Sequence, residues 1–234
     1  MPVSEDGRWR WDGTQWLPTP HEVPRTGGAT GGAAVELLVC FDTTGSMSDK
    51  IKSLVRQTAT FVNEAVGRGL DLRWGLIAFG DLRVEGDRIE TYPFTRDPAV
   101  LTRLLRHMPQ FSGGGNRGET SLDALSTAAR HPDWTPQAVH LVVLLTDESP
   151  VGVGVDLETV GHQLRDQRIV TFCVAPDHRA YRWLAQVTGG EWWDIFEPIP
   201  FERLLARLAG TLMALAASLA PQLGPGPGSA PPHR

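Results

Sequence analysis

A chain of 234 residues that is 41% hydrophobic and 21% charged carries enough apolar material for one substantial α/β core, which excludes global disorder and a polytopic membrane protein. Its formal charge of −5, from 22 Lys and Arg against 27 Asp and Glu, leaves no basic field for a phosphate backbone, so nucleic acid is not expected as a partner. The start, MPVSEDGRWRW, has acids and tryptophans where a secretory signal needs a basic end and an apolar run, so a cytoplasmic location is expected.

Residues 1–18 contain Trp9-Arg10-Trp11-Asp12-Gly13-Thr14-Gln15-Trp16, and an Asp-Gly pair between alternating residues signals a two-residue type I′ hairpin. With Asp12 and Gly13 as the turn, Trp11 faces Thr14 and Trp9 faces Trp16, which gathers three indoles on one face of the ribbon. A lone hairpin is marginal in water, so those indoles either dock on the main domain or form a patch that contacts another molecule. The segment DGRWRWDGTQWLP also resembles a short tryptophan-rich motif at the ends of many actinobacterial proteins, which implies a bacterial lineage more than a function. Residues 19–34 are rich in Gly, Pro and small side chains and read as a flexible linker.

From residue 35 to about 220, strands and helices alternate. ELLVCFD reads as a strand, and apolar residues at Ile51, Leu54, Val55, Ala59, Phe61 and Val62 predict a helix over Ser48 to Val66. LRWGLIAFGD is the second strand and ETYPFT a short third. A helix near Pro98 to Met108, the loop FSGGGNRGE and a helix from Ser121 to Arg130 follow. The run AVHLVVLLTD is almost wholly apolar, as a strand covered on both faces must be, and argues for a mainly parallel sheet. The remainder supplies a helix near Leu157 to Gln167, the strand RIVTFCVA, a helix near Ala180 to Val187, the strand EWWDIF and a last helix. That last helix, Leu204 to Ala220, is interrupted by Arg207 and stopped by Pro221, so it reads as a buried amphipathic helix and not a membrane span. Residues 221–234 form a Gly/Pro-rich tail expected to be disordered. Cys40 and Cys173 lie inside apolar runs and read as inert core thiols.

Two apolar strands end in an aspartate, Asp42 and Asp147, which places both carboxylates at the carboxyl edge of the sheet, where open α/β folds bind ligands. Thr44 and Ser46 follow Asp42 directly, and Gly45 permits a tight loop, so Asp-x-Thr-x-Ser brings three oxygen-bearing side chains into one small volume. Oxygen donors of this kind suit a hard cation such as Mg²⁺. Each residue alone has a plainer reading: strand-terminal Asp residues often cap the next helix, and Ser46 or Ser48 can be an N-cap.

Taken in order, Asp42-Thr43-Thr44-Gly45-Ser46-Met47-Ser48, GLIAFGD, FTRD, SGGGNRGETSLDAL and LVVLLTDESP resemble the von Willebrand factor A (vWA) domain, with its metal-ion-dependent adhesion site, over roughly residues 36–200. The resemblance implies a doubly wound, mostly parallel six-stranded α/β sheet in the order 3-2-1-4-5-6, strand 3 antiparallel, with helices on both faces. It implies a metal held by Asp42, Thr44, Ser46, Thr120 and Asp147, with Mg²⁺ the expected ion and Mn²⁺ or Ca²⁺ as substitutes. It further implies a protein partner that offers a Glu or Asp to that ion. No membrane partner is expected, and the chain should be a monomer on its own. The implied strand order puts one strand between those carrying Cys40 and Cys173, too far apart for an unstrained disulfide.

Thr44 stands where the family often has Ser, which keeps the oxygen and adds a methyl group. The Gly113 to Gly115 run either lets its loop move on ligand binding or is a plain surface loop. Asp81, after the second strand, reads either as an acid behind the metal ligands or, with slight preference, as a solvated loop residue. An enzymatic alternative exists, because Asp42-Thr43-Thr44 distantly resembles the first loop of Mg²⁺-dependent phosphatases of the haloacid dehalogenase type. That chemistry needs an acid two residues on, where this chain has Thr44, so no enzymatic activity is expected. A third alternative is a metal-independent scaffold that binds through the tryptophan hairpin. His107, His131, His140, His162 and His178 are dispersed, with no zinc or triad spacing, and surface positions are expected for them.

Overall fold

The computed structural model describes residues 9–11, 16–18, 34–50, 71–115, 118–136, 138–197 and 210. The predicted helices over Ser48 to Val66 and Leu204 to Ala220, the linker and the tail lie wholly or mostly outside the described residues.

Six strands form the main sheet: β3 (Val35–Asp42), β4 (Leu72–Phe79), β5 (Ile89–Thr95), β6 (Val139–Leu145), β7 (Ile169–Ala175) and β8 (Trp192–Asp194). Their order is β5-β4-β3-β6-β7-β8, and β5 alone runs antiparallel to its neighbour. This is the expected 3-2-1-4-5-6 arrangement. Four α-helices are described: α1 (Pro98–Arg106), α2 (Ser121–Ala129), α3 (Leu157–Asp166) and α4 (Arg179–Val187).

The strands are apolar on both sides because both sides are covered. Along β3, Leu37, Val39 and Phe41 join the core layer that includes Leu101 and Leu105 of α1, while Leu38 and Cys40 join the layer under α2, α3 and α4. Cys40 and Cys173 are both free and fully buried, with β6 between their strands. Burial pushes both thiols up, Cys173 to about 12, so neither is a nucleophile at neutral pH.

The helix starts follow local capping chemistry. Asp97 accepts from the Ala99 amide with Pro98 in the first turn, and Asp156 accepts from the Thr159 amide. Thr120 precedes α2 yet makes no side-chain cap. Its hydroxyl is used elsewhere.

Ahead of the domain, β1 (Trp9–Trp11) and β2 (Trp16–Pro18) pair antiparallel, and β2 lies beside the edge strand β5. The register differs from the expected one: Trp11 is opposite Trp16 and Trp9 opposite Pro18, so four residues separate the paired strands and not the Asp-Gly pair alone. Longer connections are the next commonest hairpin solution, and the alternation of residues cannot distinguish them from a two-residue turn.

Candidate metal centre

β3 and β6 are neighbours that run parallel, so their carboxyl ends deliver Asp42 and, two residues past Leu145, Asp147 to the same edge. After Asp42 the chain turns through a short 3₁₀ helix, Gly45–Met47, whose entry residue Thr44 is extended. Thr44 Oγ1 donates to Asp42 Oδ1 at 2.6 Å, and the Thr44 amide donates to the same oxygen at 3.0 Å. Ser46 Oγ donates to Asp147 Oδ1 at 2.9 Å. Thr44 Oγ1 and Ser46 Oγ lie 3.4 Å apart. Each hydroxyl has one proton, and both protons are spent on carboxylates, so across that 3.4 Å gap lone pairs face lone pairs.

Asp42 is fully buried, and its other oxygen accepts from Thr146 Oγ1 at 2.7 Å. Burial pushes its carboxyl up from the ordinary range, and the nearby Asp147 charge adds to this, while the bonds from Thr44 and Thr146 pull the other way. Asp147 Oδ2 meets the ammonium of Lys50 at 3.1 Å.

Thr120 stands apart from this group. Its hydroxyl donates to the Gly80 carbonyl at 2.6 Å and accepts from the Leu82 amide at 3.3 Å, tying the start of α2 to the end of β4. Four of the five residues expected from the sequence thus form one continuous series of oxygens. The fifth fastens the loop beside them.

The residue before it was not expected. Glu119 is 3% exposed, and its Oε2 has no hydrogen-bond partner. Its backbone is held on both sides, donating to Ser149 at 3.1 Å and accepting from Val151 at 3.0 Å. Glu119 Oε1 and the Thr44 methyl both lie against Gly113: a Cβ there would sit 2.8 Å from the former and 3.0 Å from the latter. Gly113 adopts φ +71°, which its lack of a side chain permits. Burial, then the charges of Asp42 and Asp81, push the Glu119 carboxyl up to about 8. Arg83 is near enough to feel the Glu119 charge, but its guanidinium bonds go to Asp81 and Gly118, so one oxygen of this buried acid is left without a donor.

Asp81 is not the solvated loop residue that the sequence favoured. It is 1% exposed and holds Arg83 through two bonds of 2.7 Å, with Arg83 also donating to the Gly118 carbonyl at 2.6 Å. The guanidinium bonds hold the Asp81 carboxyl below its usual range. Asp87 anchors the glycine loop, accepting from the Ser112 and Gly113 amides at 2.9 Å each. Surface positions do not hold for all the histidines either: His131 is 5% exposed and packs edge-on against Phe94, and His140 lies 4.6 Å from the Trp134 ring.

Among the described residues, no three His, Cys, Asp or Glu side chains converge as a metal-holding group. A cation at this edge therefore depends on the two hydroxyls as much as on the acids. The donor chemistry fits a hard ion: neutral hydroxyl oxygens and carboxylates, with neither sulfur nor imidazole among them.

Compared with known families, residues 36–191 match the model of the von Willebrand factor type A domain. The chain belongs to that family. Comparison with curated proteins gives no match. The match spans the strands from β3 to the edge of β8, and with them every residue of the oxygen series, so the vWA domain and the candidate centre occupy the same stretch of chain. Among the described residues, no helix is long and apolar enough to cross a membrane.

Proposed function

We propose that this vWA domain is a metal-dependent protein interaction module, in which Mg²⁺ is held by Asp42, Thr44, Ser46 and Asp147, and a partner's Glu or Asp completes the coordination. The observation that carries the reading is the pair of hydroxyls whose lone pairs face each other while their protons are spent on Asp42 and Asp147. A cation relieves that repulsion without breaking either bond. Glu119 belongs to the same set, in the second-loop position that the sequence assigned to Thr120, and Thr120 serves by fixing the loop.

When bound, the ion would supply a local Lewis-acidic centre with open coordination positions at the protein surface. The residues do the rest: Thr146 and Thr44 orient Asp42, Ser46 orients Asp147, and so small a donor set leaves the ion a coordination position for an outside carboxylate. The reading is of binding and not turnover, because the position two residues past Asp42 carries the Thr44 hydroxyl and no general acid.

Titration of Mg²⁺ into the full chain by calorimetry tests this. Wild type is expected to bind with measurable heat, and Asp42→Ala and Ser46→Ala to lose it. Affinity capture of partners in Mg²⁺ against chelator should follow the same pattern. Absence of any heat with Mg²⁺ or Mn²⁺ in the folded wild type defeats the proposal.

A further inference from the structure

The Asp147 carboxylate faces two different demands. One oxygen is bonded to Ser46 and belongs to the oxygen series; the other is bonded to Lys50. Lys50 lies in the helical turn that follows the 3₁₀ segment, so the backbone that delivers Thr44 and Ser46 also delivers this ammonium. Its side chain is 34% exposed while that of Asp147 is 8% exposed, so the lysine reaches in from the solvent side over an acid that is almost covered. Its second neighbour is Phe196, just past β8, whose ring centre is 5.6 Å from the ammonium. Phe196 is 63% exposed, a large apolar side chain left in water at the same edge of the sheet.

These contacts make a cation with two seats. On Asp147 it neutralises an acid whose charge bears on the buried Asp42. Over Phe196 it meets the negative face of an aromatic ring, a weaker site that keeps the ammonium hydrated on its other side. A divalent ion that engages Asp147 repels an ammonium in hydrogen-bond contact with the same carboxylate, because like charges a few ångströms apart are not screened there by bulk water. Both cannot hold Asp147 at full strength.

We propose that Lys50 is a tethered competitor of the metal ion: it occupies Asp147 in the metal-free protein, is displaced toward Phe196 when the divalent ion loads, and so sets the ion concentration at which the site fills. The inference rests on the metal reading above. It makes Lys50 a positioning residue that acts through Asp147. It also places a released ammonium next to the carboxylate a partner would bring, so loading the ion adds a second positive group to the docking surface.

The test uses the full chain with Mg²⁺ alone as the probe, measured by calorimetry and by thermal melting in chelator and in saturating Mg²⁺. Lys50→Met is expected to bind Mg²⁺ about tenfold more tightly than wild type, to melt lower in chelator, and to gain more on Mg²⁺ addition. Lys50→Arg, which keeps the charge, should stay near wild type. Phe196→Ser, which removes the second seat, should weaken Mg²⁺ binding in wild type and have no effect in the Lys50→Met background. A lysine with a merely structural role lowers melting equally in chelator and in Mg²⁺ and leaves affinity alone, and that outcome overturns the proposal. Equal or weaker Mg²⁺ binding by Lys50→Met overturns it too while leaving the metal site standing. Silence with Mg²⁺ in wild type and every variant overturns both readings together.

Discussion

Glu119 shows how much a single buried acid can govern in a site of this kind. Its carboxyl is raised from 4.5 to about 8, first by burial and then by Asp42 and Asp81. The folded protein therefore holds a proton that the unfolded chain gives up near pH 4.5. For a group raised on folding, the stabilisation is fully present below the unfolded value and is lost as pH rises through the folded one. The metal-free domain should thus melt progressively lower between about pH 4.5 and 8, and Glu119→Gln should flatten that slope. A cation favours the ionised acid, so Mg²⁺ affinity should rise over the same window, with protons released on binding. Calorimetry in buffers of different ionisation enthalpy reads that release directly, and zero release near neutral pH would remove Glu119 from the set. At this scale the sequence was only partly legible. Asp42, Thr44, Ser46 and Asp147 could be read because strand ends and short spacings fix where they go. The sequence points to Thr120 and gives no sign of Glu119, since neighbours on a loop point in different directions and only the backbone decides which faces the site. The burial of Asp81 is not legible in the sequence because its partner, Arg83, is two residues away, a local pair that leaves no periodic trace.

At the scale of elements, the loop that carries Glu119 is built by close approach. Gly118 has φ +81°, and a Cβ there would lie 2.5 Å from the Ser149 carbonyl, the oxygen that receives the Glu119 amide. Gly118→Ala meets a backbone penalty and a clash at once, and should cost about 2–4 kcal/mol in denaturant unfolding while weakening Mg²⁺ binding. Gly115 offers the control, with φ +61° and nothing within 4 Å of an added Cβ. Gly115→Ala should cost about 1 kcal/mol and leave Mg²⁺ binding unchanged. Equal effects of the two substitutions on metal affinity would mean that the loop's shape does not position Glu119. The strands and helices are the most legible elements, since mostly apolar stretches of seven or eight residues, broken only at single positions, describe a sheet covered on both sides. α1 to α4 begin within a residue of the starts expected from the sequence. The hairpin register departs from the expected one: Asp-Gly is a strong turn signal, yet the pairing of Trp11 with Trp16 spans a longer connection.

Across the whole molecule, polar chemistry is concentrated at both ends of the sheet, and the two ends do different things. At the amino end, Glu36 is 1% exposed and fully partnered: it accepts from Arg73 at 2.6 Å, from the Thr135 amide at 2.8 Å and from the Thr135 hydroxyl at 2.6 Å. Arg73 also donates to Thr135 Oγ1 at 2.9 Å and lies over the Phe94 ring. This network ties β3 and β4 to the segment that leads into β6, and it leaves no oxygen of Glu36 waiting for a ligand. The carboxyl end is the reverse, with Glu119 unpaired and hydroxyl lone pairs opposed. Five residues of β3 lie between Glu36 and Asp42, which puts them about 20 Å apart along an extended strand. Arg73→Met should therefore strand a buried carboxylate and cost about 3–5 kcal/mol of stability. At temperatures where the variant stays folded, its Mg²⁺ affinity should equal that of wild type. In chelator, the stability losses of Arg73→Met and Asp42→Ala should add in the double variant, as they do for sites with no shared partner. A drop of more than a few-fold in Mg²⁺ affinity on Arg73→Met would show instead that the sheet couples its two ends, and that the amino-end network sets the geometry of the oxygen series.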